Sequence, residues 1–152
     1  MKLIVYTDGA CSGNPGTGGW AWTYNKKEDS GGEKNTTNNR MELRAVVEAL
    51  TEIYECGYEK VKVEIYSDSA YVINAINKEW INKWQRNNWV TTKDHNVKNK
   101  DLWEDLIRIK KLLSHKNIKI SFIKVKGHDG NELNEVCDKL ARKESQKLKG
   151  VD

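Results

Sequence analysis

The chain has 152 residues, the size of one ordinary domain, and its 38% hydrophobic and 32% charged residues are typical of a globular protein rather than a disordered one. No apolar run approaches the ~20 residues that a membrane helix needs, and the N-terminus lacks a signal-peptide pattern, which excludes a membrane protein and indicates the cytosol. The three widely spaced cysteines, without a CxxC pair, are expected to be reduced thiols rather than disulfides or zinc ligands.

Ten strands and helices are predicted from hydrophobic periodicity and turn residues. Residues 9–19, rich in glycine and containing the only proline, are predicted as a loop, and residues 26–32 as a hairpin turn. Asp101 and Glu104 have the spacing of a capping box. In chain order the elements are strands at 3–7, 20–24 and 33–37, a helix ending near 56, a strand at 61–67, helices at 70–76, 78–88 and 101–113, a strand at 118–125 and a final helix from about 133.

This order of elements predicts an α/β fold in a single domain spanning residues 1–152. The first three strands are expected to pair antiparallel as a meander, whereas the later strand–helix–strand links predict parallel pairing through right-handed crossovers. The result is one mixed five-stranded sheet with helices on both faces. No apolar stripe demands a second copy of the chain, so we expect a monomer.

The net charge of +4 is concentrated between residues 78 and 100, where six basic residues stand against two acidic ones. A basic segment of this kind, interleaved with tryptophans, suggests a polyanion as partner. The alternative is a solvated surface loop without a binding role.

Four acidic residues are candidates for chemistry. Asp8 and Asp68 follow predicted parallel strands, at the sheet edge where ligands collect in α/β folds, although an aspartate there is also a common helix cap or turn residue. Glu42 lies in line with the apolar stripe of its helix and, if buried, needs a cation or a donor; alternatively it reaches water or pairs with a neighbouring arginine. Asp138 similarly flanks the apolar face of the last helix.

Four carboxylates near one point would repel one another unless a divalent cation neutralised them. Oxygen ligands of this type suit Mg²⁺ or Mn²⁺ rather than zinc. The pattern by itself leaves open whether the four side chains converge.

The sequence resembles the type 1 ribonucleases H, the bacterial free-standing form, over residues 3–143. Four segments carry the resemblance in the family's order: 7–16 (TDGACSGNPG), 36–43 (TTNNRMEL), 67–69 (SDS), and 125–128 (VKGH) with 134–138 (NEVCD). The resemblance implies the ribonuclease H-like fold and endonucleolytic cleavage of the RNA strand of RNA–DNA hybrids, leaving 5′-phosphate and 3′-hydroxyl ends. It also implies that the chain, which begins at the first strand, lacks the N-terminal hybrid-binding module of some relatives.

The resemblance further implies a catalytic set of Asp8, Glu42, Asp68 and Asp138, which together hold two Mg²⁺ ions, with Mn²⁺ as an alternative. His128, between flanking glycines, is implied as an accessory residue for proton movement or product release.

Contacts with the hybrid duplex are implied for residues that match the family's groove, phosphate and channel positions. Trp84 is assigned to binding, whereas Trp80 is assigned to the core. The implied nucleic-acid-binding residues are Cys11, Gly13, Asn14, Thr37, Asn38, Asn39, Lys83, Trp84, Arg86, Trp89, Thr91, Lys98 and Asn99; Asn38 is alternatively a helix cap.

Two positions depart from the family pattern. Asn35 stands where many relatives have an arginine in the phosphate pocket, and Ala70 stands where many have a longer side chain that reaches the groove. Both departures put the affinity for the hybrid in doubt but leave the four acids untouched. Two alternatives stay open: a non-catalytic binder of hybrid or double-stranded RNA, and another nuclease, recombinase or reverse-transcriptase domain of the same fold.

Overall fold

The structure is a computed structural model that describes residues 1–91, 95–126 and 132–149. Its elements occur in the predicted order of strands and helices. The strands are β1 (Lys2–Gly13), β2 (Gly16–Tyr24), β3 (Lys27–Thr36), β4 (Lys62–Ser67) and β5 (Lys119–Lys124), and the helices are α1 (Asn38–Glu55), α2 (Ala70–Asn77), α3 (Trp80–Arg86), α4 (Lys100–His115) and α5 (Glu132–Lys149).

The five strands form one mixed sheet in the order β3-β2-β1-β4-β5. β1, β2 and β3 pair antiparallel as a meander, and β1, β4 and β5 pair parallel. The predicted fold class is therefore confirmed. No helix in the described part of the chain combines the length and hydrophobicity needed to cross a membrane.

Helices cover both faces of the meander, as the side chains of β2 show. Trp20 and Trp22 belong to the main core, which includes the apolar face of α1, whereas the intervening Ala21 packs against Cys137 and Ala141 of α5. Because successive side chains of a strand point to opposite faces, α1 and α5 lie on opposite sides of the sheet.

The prediction of a loop over residues 9–19 is wrong, because β1 and β2 run through most of it. Glycines are needed there because the helices approach the strands closely. A Cβ atom on Gly9 would lie 2.4 Å from the backbone nitrogen of Glu42, and one on Gly19 would lie 2.1 Å from the carbonyl oxygen of Ala141. Glycine thus marks close packing of helix on sheet here and not only turns.

The prediction of a hairpin turn at residues 26–32 is also wrong. The turn consists of Asn25 and Lys26, which have φ values of 50° and 62°, and β3 begins at Lys27. Two successive residues with positive φ match the two-residue turns that favour hairpins. Gly31 lies within β3, and glycine is needed at this position because a Cβ atom there would lie 2.6 Å from the ring of Trp20.

Helix starts differ from two predictions. The N-cap of α1 is Thr37, whose hydroxyl accepts a hydrogen bond from the backbone N–H of Arg40 at 3.2 Å, so Asn38 is not the cap. α4 begins at Lys100 after Asn99, and its start has no side-chain cap; instead of forming a capping box, Asp101 accepts two hydrogen bonds from Arg40. The Thr37 cap is a local contact, whereas the contact of Asp101 with Arg40 joins segments 61 residues apart.

Candidate active site

Three of the predicted acids meet at one edge of the sheet. The parallel pairing of β1 with β4 ends at Tyr6 opposite Tyr66, and Asp8 and Asp68 each follow two residues later along their chains. Glu42 reaches the same point from α1. Oxygen atoms of Asp8, Glu42 and Asp68 all lie within 4.8 Å of one another.

Neither of the aspartates is a helix cap. The residue that caps α2 is Ser69, whose hydroxyl accepts a hydrogen bond from the N–H of Val72 at 3.2 Å. Asp8 lies within β1, where its Oδ1 accepts the N–H of Gly9 at 2.9 Å. The two carboxylates are therefore left to face each other and the third acid.

Glu42 does not reach water, since only 3% of it is exposed, and it does not pair with a neighbouring arginine. Arg40 and Arg44 form ion pairs with Glu33 instead, at 3.0 and 2.6 Å. The Oε1 of Glu42 accepts the N–H of Gly9 at 2.7 Å, whereas no backbone N–H or hydroxyl group donates to its buried Oε2 in the described part of the chain. A buried carboxylate oxygen in this state calls for a proton or a cation.

Burial and mutual repulsion favour the protonated acids. Burial raises the pKa of Asp8 from its ordinary 3.8 to about 7, and the charge of Asp68 adds to the rise, although a hydrogen bond with Glu42 opposes it. Burial also raises the pKa of Glu42 well above its ordinary value, and the charge of Asp8 acts in the same direction. The site therefore holds protons at neutral pH unless a positive charge replaces them.

This group of acids fits a divalent cation of the Mg²⁺ type. The donors are all carboxylate oxygens, which such ions prefer, and the buried Oε2 of Glu42 receives no backbone N–H or hydroxyl among the described residues, so it is available as a ligand atom. The acids line a cavity of about 620 Å³, which leaves room for ions and part of a substrate.

Asp138, the fourth predicted acid, lines the same cavity from α5. Its helix is fixed to β1 nearby, where the thiol of Cys137 donates to the carbonyl of Tyr6 at 3.3 Å. The Asp138 carboxylate forms an ion pair with Arg142, which also lines the cavity. Asp138 is thus near the three-acid group, and its charge contributes to the raised pKa of Asp8, but it is already paired with a cation.

A second cavity, of about 410 Å³, brings together many of the predicted nucleic-acid contacts. Three of the segments that line it are far apart in sequence. They are the β1–β2 turn, the start of α1 and the segment before α4. Its lining residues are Asn14, Thr37, Asn38, Asn39, Tyr71, Lys98 and Asn99. Asn38 and Asn39 also line the acidic cavity, as does Cys11, so the two spaces adjoin. Gly13, with φ of 99°, ends β1 beside Asn14.

A third cavity, of about 330 Å³, contains the predicted channel residues Trp84, Thr91 and Lys98. The ring of Trp84 packs against that of Trp103 with centroids 5.6 Å apart. Trp89 is half-buried against the main core.

The assignment of Trp80 to the core is wrong, because Trp80 is 36% exposed. α3 buries Ile81, and Trp84 lies on the same side of the helix three residues later. The Nζ of Lys78 lies over the Trp80 ring, 5.8 Å from its centroid. Lys83 and Arg86 lie exposed on the same helix.

The structure does not test the predictions for three further positions. His128 lies outside the described residues. Asn35 is exposed on β3, and Ala70 is exposed at the start of α2, where it lines the acidic cavity.

Sequence reasoning missed several residues that line these cavities, among them Arg142 and Tyr71. Arg142 lies one helical turn after Asp138, and that spacing is a signal for an ion pair that could have been used. Tyr71 lines all three cavities. Its adjacency to the Ser-Asp-Ser segment was the only available signal, since its hydrogen-bond partners come from a distant part of the chain.

Comparison with known proteins places these features in a family. A family model described as RNase H matches residues 1–146. The ribonuclease H of Thermoanaerobacter sp. (strain X514) is 52% identical over 141 residues, which cover 90% of this chain and 85% of the relative. The crystal structure of LC9-RNase H1, described as a type 1 RNase H with the type 2 active-site motif, is similar with a TM-score of 0.77 and 26% identity, covering 97% of this chain and 73% of that one. LC11-RNase H1, solved in complex with an RNA/DNA hybrid, shares the fold with a TM-score of 0.66 and 23% identity over 95% of this chain and 97% of that one.

Proposed function

Because this chain belongs to the ribonuclease H family, we propose that it is an endonuclease that hydrolyses the RNA strand of RNA–DNA hybrids and leaves 5′-phosphate and 3′-hydroxyl ends. The observation that carries the proposal is the group of three buried or half-buried carboxylates within 4.8 Å, beside cavities lined by amide and hydroxyl side chains. Burial and repulsion raise the pKa of two of these acids, and a bound cation would remove this electrostatic cost of ionising them.

Four acids would hold the metal ions: Asp8, Glu42, Asp68 and Asp138. We propose Mg²⁺ as the metal, in two sites, with Mn²⁺ as a substitute. When bound, such ions supply an activated water and neutralise the charge on the leaving 3′ oxygen.

The protein's own groups orient the acids and the substrate. The N–H of Gly9 holds one oxygen of Asp8 and one of Glu42, so both side chains are fixed by the same backbone group. The oxygen of Thr37 accepts the N–H of Arg40, which fixes its position, and its hydroxyl proton is proposed to be donated to the ligand. His128 is proposed as an accessory group for proton transfer or product release.

Recognition of the hybrid requires that the protein distinguish ribose from deoxyribose. The 2′-hydroxyl supplies that signal in a wide, shallow minor groove, where small polar groups approach it closely. We assign this contact to Asn38 and Asn39, which line both of the first two cavities, and to Cys11, which lines the acidic one, with Gly13 and Asn14 beside them. Thr37 and Asn99 are assigned to a backbone phosphate, and Trp84, Trp89, Thr91 and the basic side chains Lys83, Arg86 and Lys98 to the DNA strand.

Cleavage of a labelled hybrid tests the proposal. The purified protein should cut the RNA strand with Mg²⁺ present, should not cut it in EDTA, and should leave duplex DNA and duplex RNA intact. Asp8→Asn should abolish cleavage while hybrid binding persists.

Asp29→Asn is the matched control for this variant. Asp29 is exposed, and its Oδ1 accepts the N–H of the next residue at 2.9 Å, as that of Asp8 does. Binding of the hybrid without cleavage by folded, metal-loaded wild type would favour a non-catalytic binder. Equal cleavage by wild type and Asp8→Asn would remove the acids from the reaction.

Three properties stay predictions. They are the organisation of residues 1–152 as one domain, the monomeric state and the cytosolic location. Size-exclusion chromatography with light scattering tests the second of these.

A further inference from the structure

We propose that the Tyr71 hydroxyl donates a hydrogen bond to a backbone phosphate of the bound hybrid. The groups that donate hydrogen bonds to Tyr71 orient its hydroxyl proton before the substrate arrives. The inference rests on the proposed function, since it requires a hybrid substrate. It assigns a binding role to a residue that the sequence motifs left aside.

The location of Tyr71 is the first support. Tyr71 is half-buried on α2 and lines the acidic cavity, the second cavity and the third cavity. It therefore lies where the three spaces meet. A duplex that places its RNA strand at the acids and its other strand along the basic segment passes this point.

The hydrogen bonds at the Tyr71 hydroxyl are the second support. The indole Nε1 of Trp103 lies 3.0 Å from the Tyr71 oxygen, and this group can only donate. The side-chain amide of Asn99 lies 3.1 Å from the same oxygen through its Nδ2. The Tyr71 oxygen thus accepts two hydrogen bonds.

The orientation of the Asn99 amide is fixed independently. Its Oδ1 accepts from the guanidinium of Arg40 at 3.4 Å, and a guanidinium has no acceptor atom. A flipped amide would place its NH₂ group against the arginine. The same guanidinium is held by two hydrogen bonds to Asp101 at 2.8 and 2.7 Å, so it cannot turn away easily.

It follows that the hydroxyl proton of Tyr71 points away from both donors. A hydroxyl has one proton and two lone pairs, and here both lone pairs are occupied. Among the residues that the structure describes, none accepts a hydrogen bond from this hydroxyl.

The ring of Tyr71 is also held in place. It packs against Trp103 with centroids 5.6 Å apart, and Trp103 is fully buried. A donor fixed in this way loses little conformational entropy on binding an anion. Phosphate oxygens are the anionic acceptors that a nucleic acid presents, and a hydrogen bond to a charged acceptor is stronger than a neutral one.

Tyr71→Phe tests the inference, because it removes the hydroxyl and keeps the ring. Binding of an RNA–DNA hybrid is measured in EDTA, in which cleavage does not occur. The variant should bind about tenfold more weakly than wild type, as expected for the loss of one hydrogen bond to a charged group.

Tyr66→Phe is the matched control. The Tyr66 hydroxyl also makes a hydrogen bond, to Glu64 at 2.9 Å, but on the sheet and not in these cavities. The Tyr66→Phe variant should therefore bind the hybrid with the affinity of wild type. Equal affinities of Tyr71→Phe and Tyr66→Phe would overturn the inference.

A double-mutant cycle separates direct donation from an effect through Asn99. If Tyr71 donates directly, Tyr71→Phe should still weaken binding about tenfold in an Asn99→Ala background. If the loss disappears in that background, Tyr71 only positions Asn99 and the inference is wrong.

A second measurement uses the substrate. Hybrids that carry single neutral methylphosphonates should include one position where the substitution weakens binding of wild type but not of Tyr71→Phe. Absence of such a position would contradict a hydrogen bond from Tyr71 to a phosphate. If the variant is unstable, a wild-type scan in which no single methylphosphonate weakens binding would also contradict it. Failure of wild type to bind any hybrid would instead refute the proposed function.

Discussion

The acidic group should make the metal-free protein less stable as the pH rises, and Asp8→Asn should relieve this effect. Burial raises the pKa of Asp8 to about 7, whereas the unfolded chain has the ordinary value of 3.8. Between these two values the folded protein holds a proton that the unfolded chain has released. The free energy of unfolding therefore falls as the pH rises through this window and levels off above it.

The magnitude follows from the width of the window. A shift of about three pKa units corresponds to roughly 4 kcal/mol at 1.36 kcal/mol per unit, and this is the most that the ionisation of Asp8 contributes. The buried position of Asp8, only 4% exposed, leaves little screening by solvent. An asparagine cannot ionise but can still accept the N–H of Gly9, so Asp8→Asn should recover a large part of this free energy at pH 8 and little at pH 4.

Urea unfolding in EDTA at pH 4, 6 and 8 provides the assay. The stability difference between Asp8→Asn and wild type should grow across this series, whereas Asp29→Asn, the exposed control, should show no such trend. Addition of Mg²⁺ at pH 8 should stabilise wild type more than Asp8→Asn, because the ion binds only the folded site. A difference between Asp8→Asn and wild type that is independent of pH would refute the reasoning.

Three further predictions concern packing, ion pairs and charge. Gly9→Ala should lower the free energy of unfolding by about 1–3 kcal/mol and weaken Mn²⁺ binding measured by calorimetry, because the added methyl group would push α1 away from β1. Arg40→Gln should cost about 1 kcal/mol at pH 7, because Glu33 loses one of its arginine partners and the exposed Asp101 loses its ion pair. Although burial opposes it, hydrogen bonds from arginines lower the pKa of Glu33, so the loss should be present at neutral pH and disappear as the pH falls through that pKa. Replacing Lys83 and Arg86 with alanine should weaken hybrid binding and reduce the slope of log affinity against log salt by up to about 1.8, at about 0.9 for each phosphate contact of a duplex.

Each of these predictions has a contrary outcome. Wild-type stability of Gly9→Ala would mean that α1 can move without loss. An Arg40→Gln effect that persists at pH 2 would point to lost packing rather than lost charge pairing. For the basic side chains, Lys62 and Lys119 are the control pair, because they lie at the start of β4 and β5, far from the acids. An equal change in salt slope for both pairs would remove α3 from the interface.

The sequence determined the order of the elements, the sheet class and the position of the acids along it. Strand alternation and the helical stripe are local patterns, and they placed Asp8 and Asp68 at corresponding points of neighbouring strands and Glu42 on the buried face of its helix. Local pattern failed where glycine had a tertiary role, since the signal of Gly9 and Gly19 is the same for a turn as for a close helix contact.

Only the tertiary structure decided which side chains meet. Arg40 and Asp101 are 61 residues apart, and Tyr71 and Trp103 are 32 apart, so no local spacing predicts that they bond. The partner of Asp138, the exposure of Trp80 and the junction of the three cavities at Tyr71 likewise depend on how helices pack on the sheet. The physical reason is that periodicity reports which face of an element is buried, whereas hydrogen bonds and raised pKa values depend on distances between elements that periodicity does not encode.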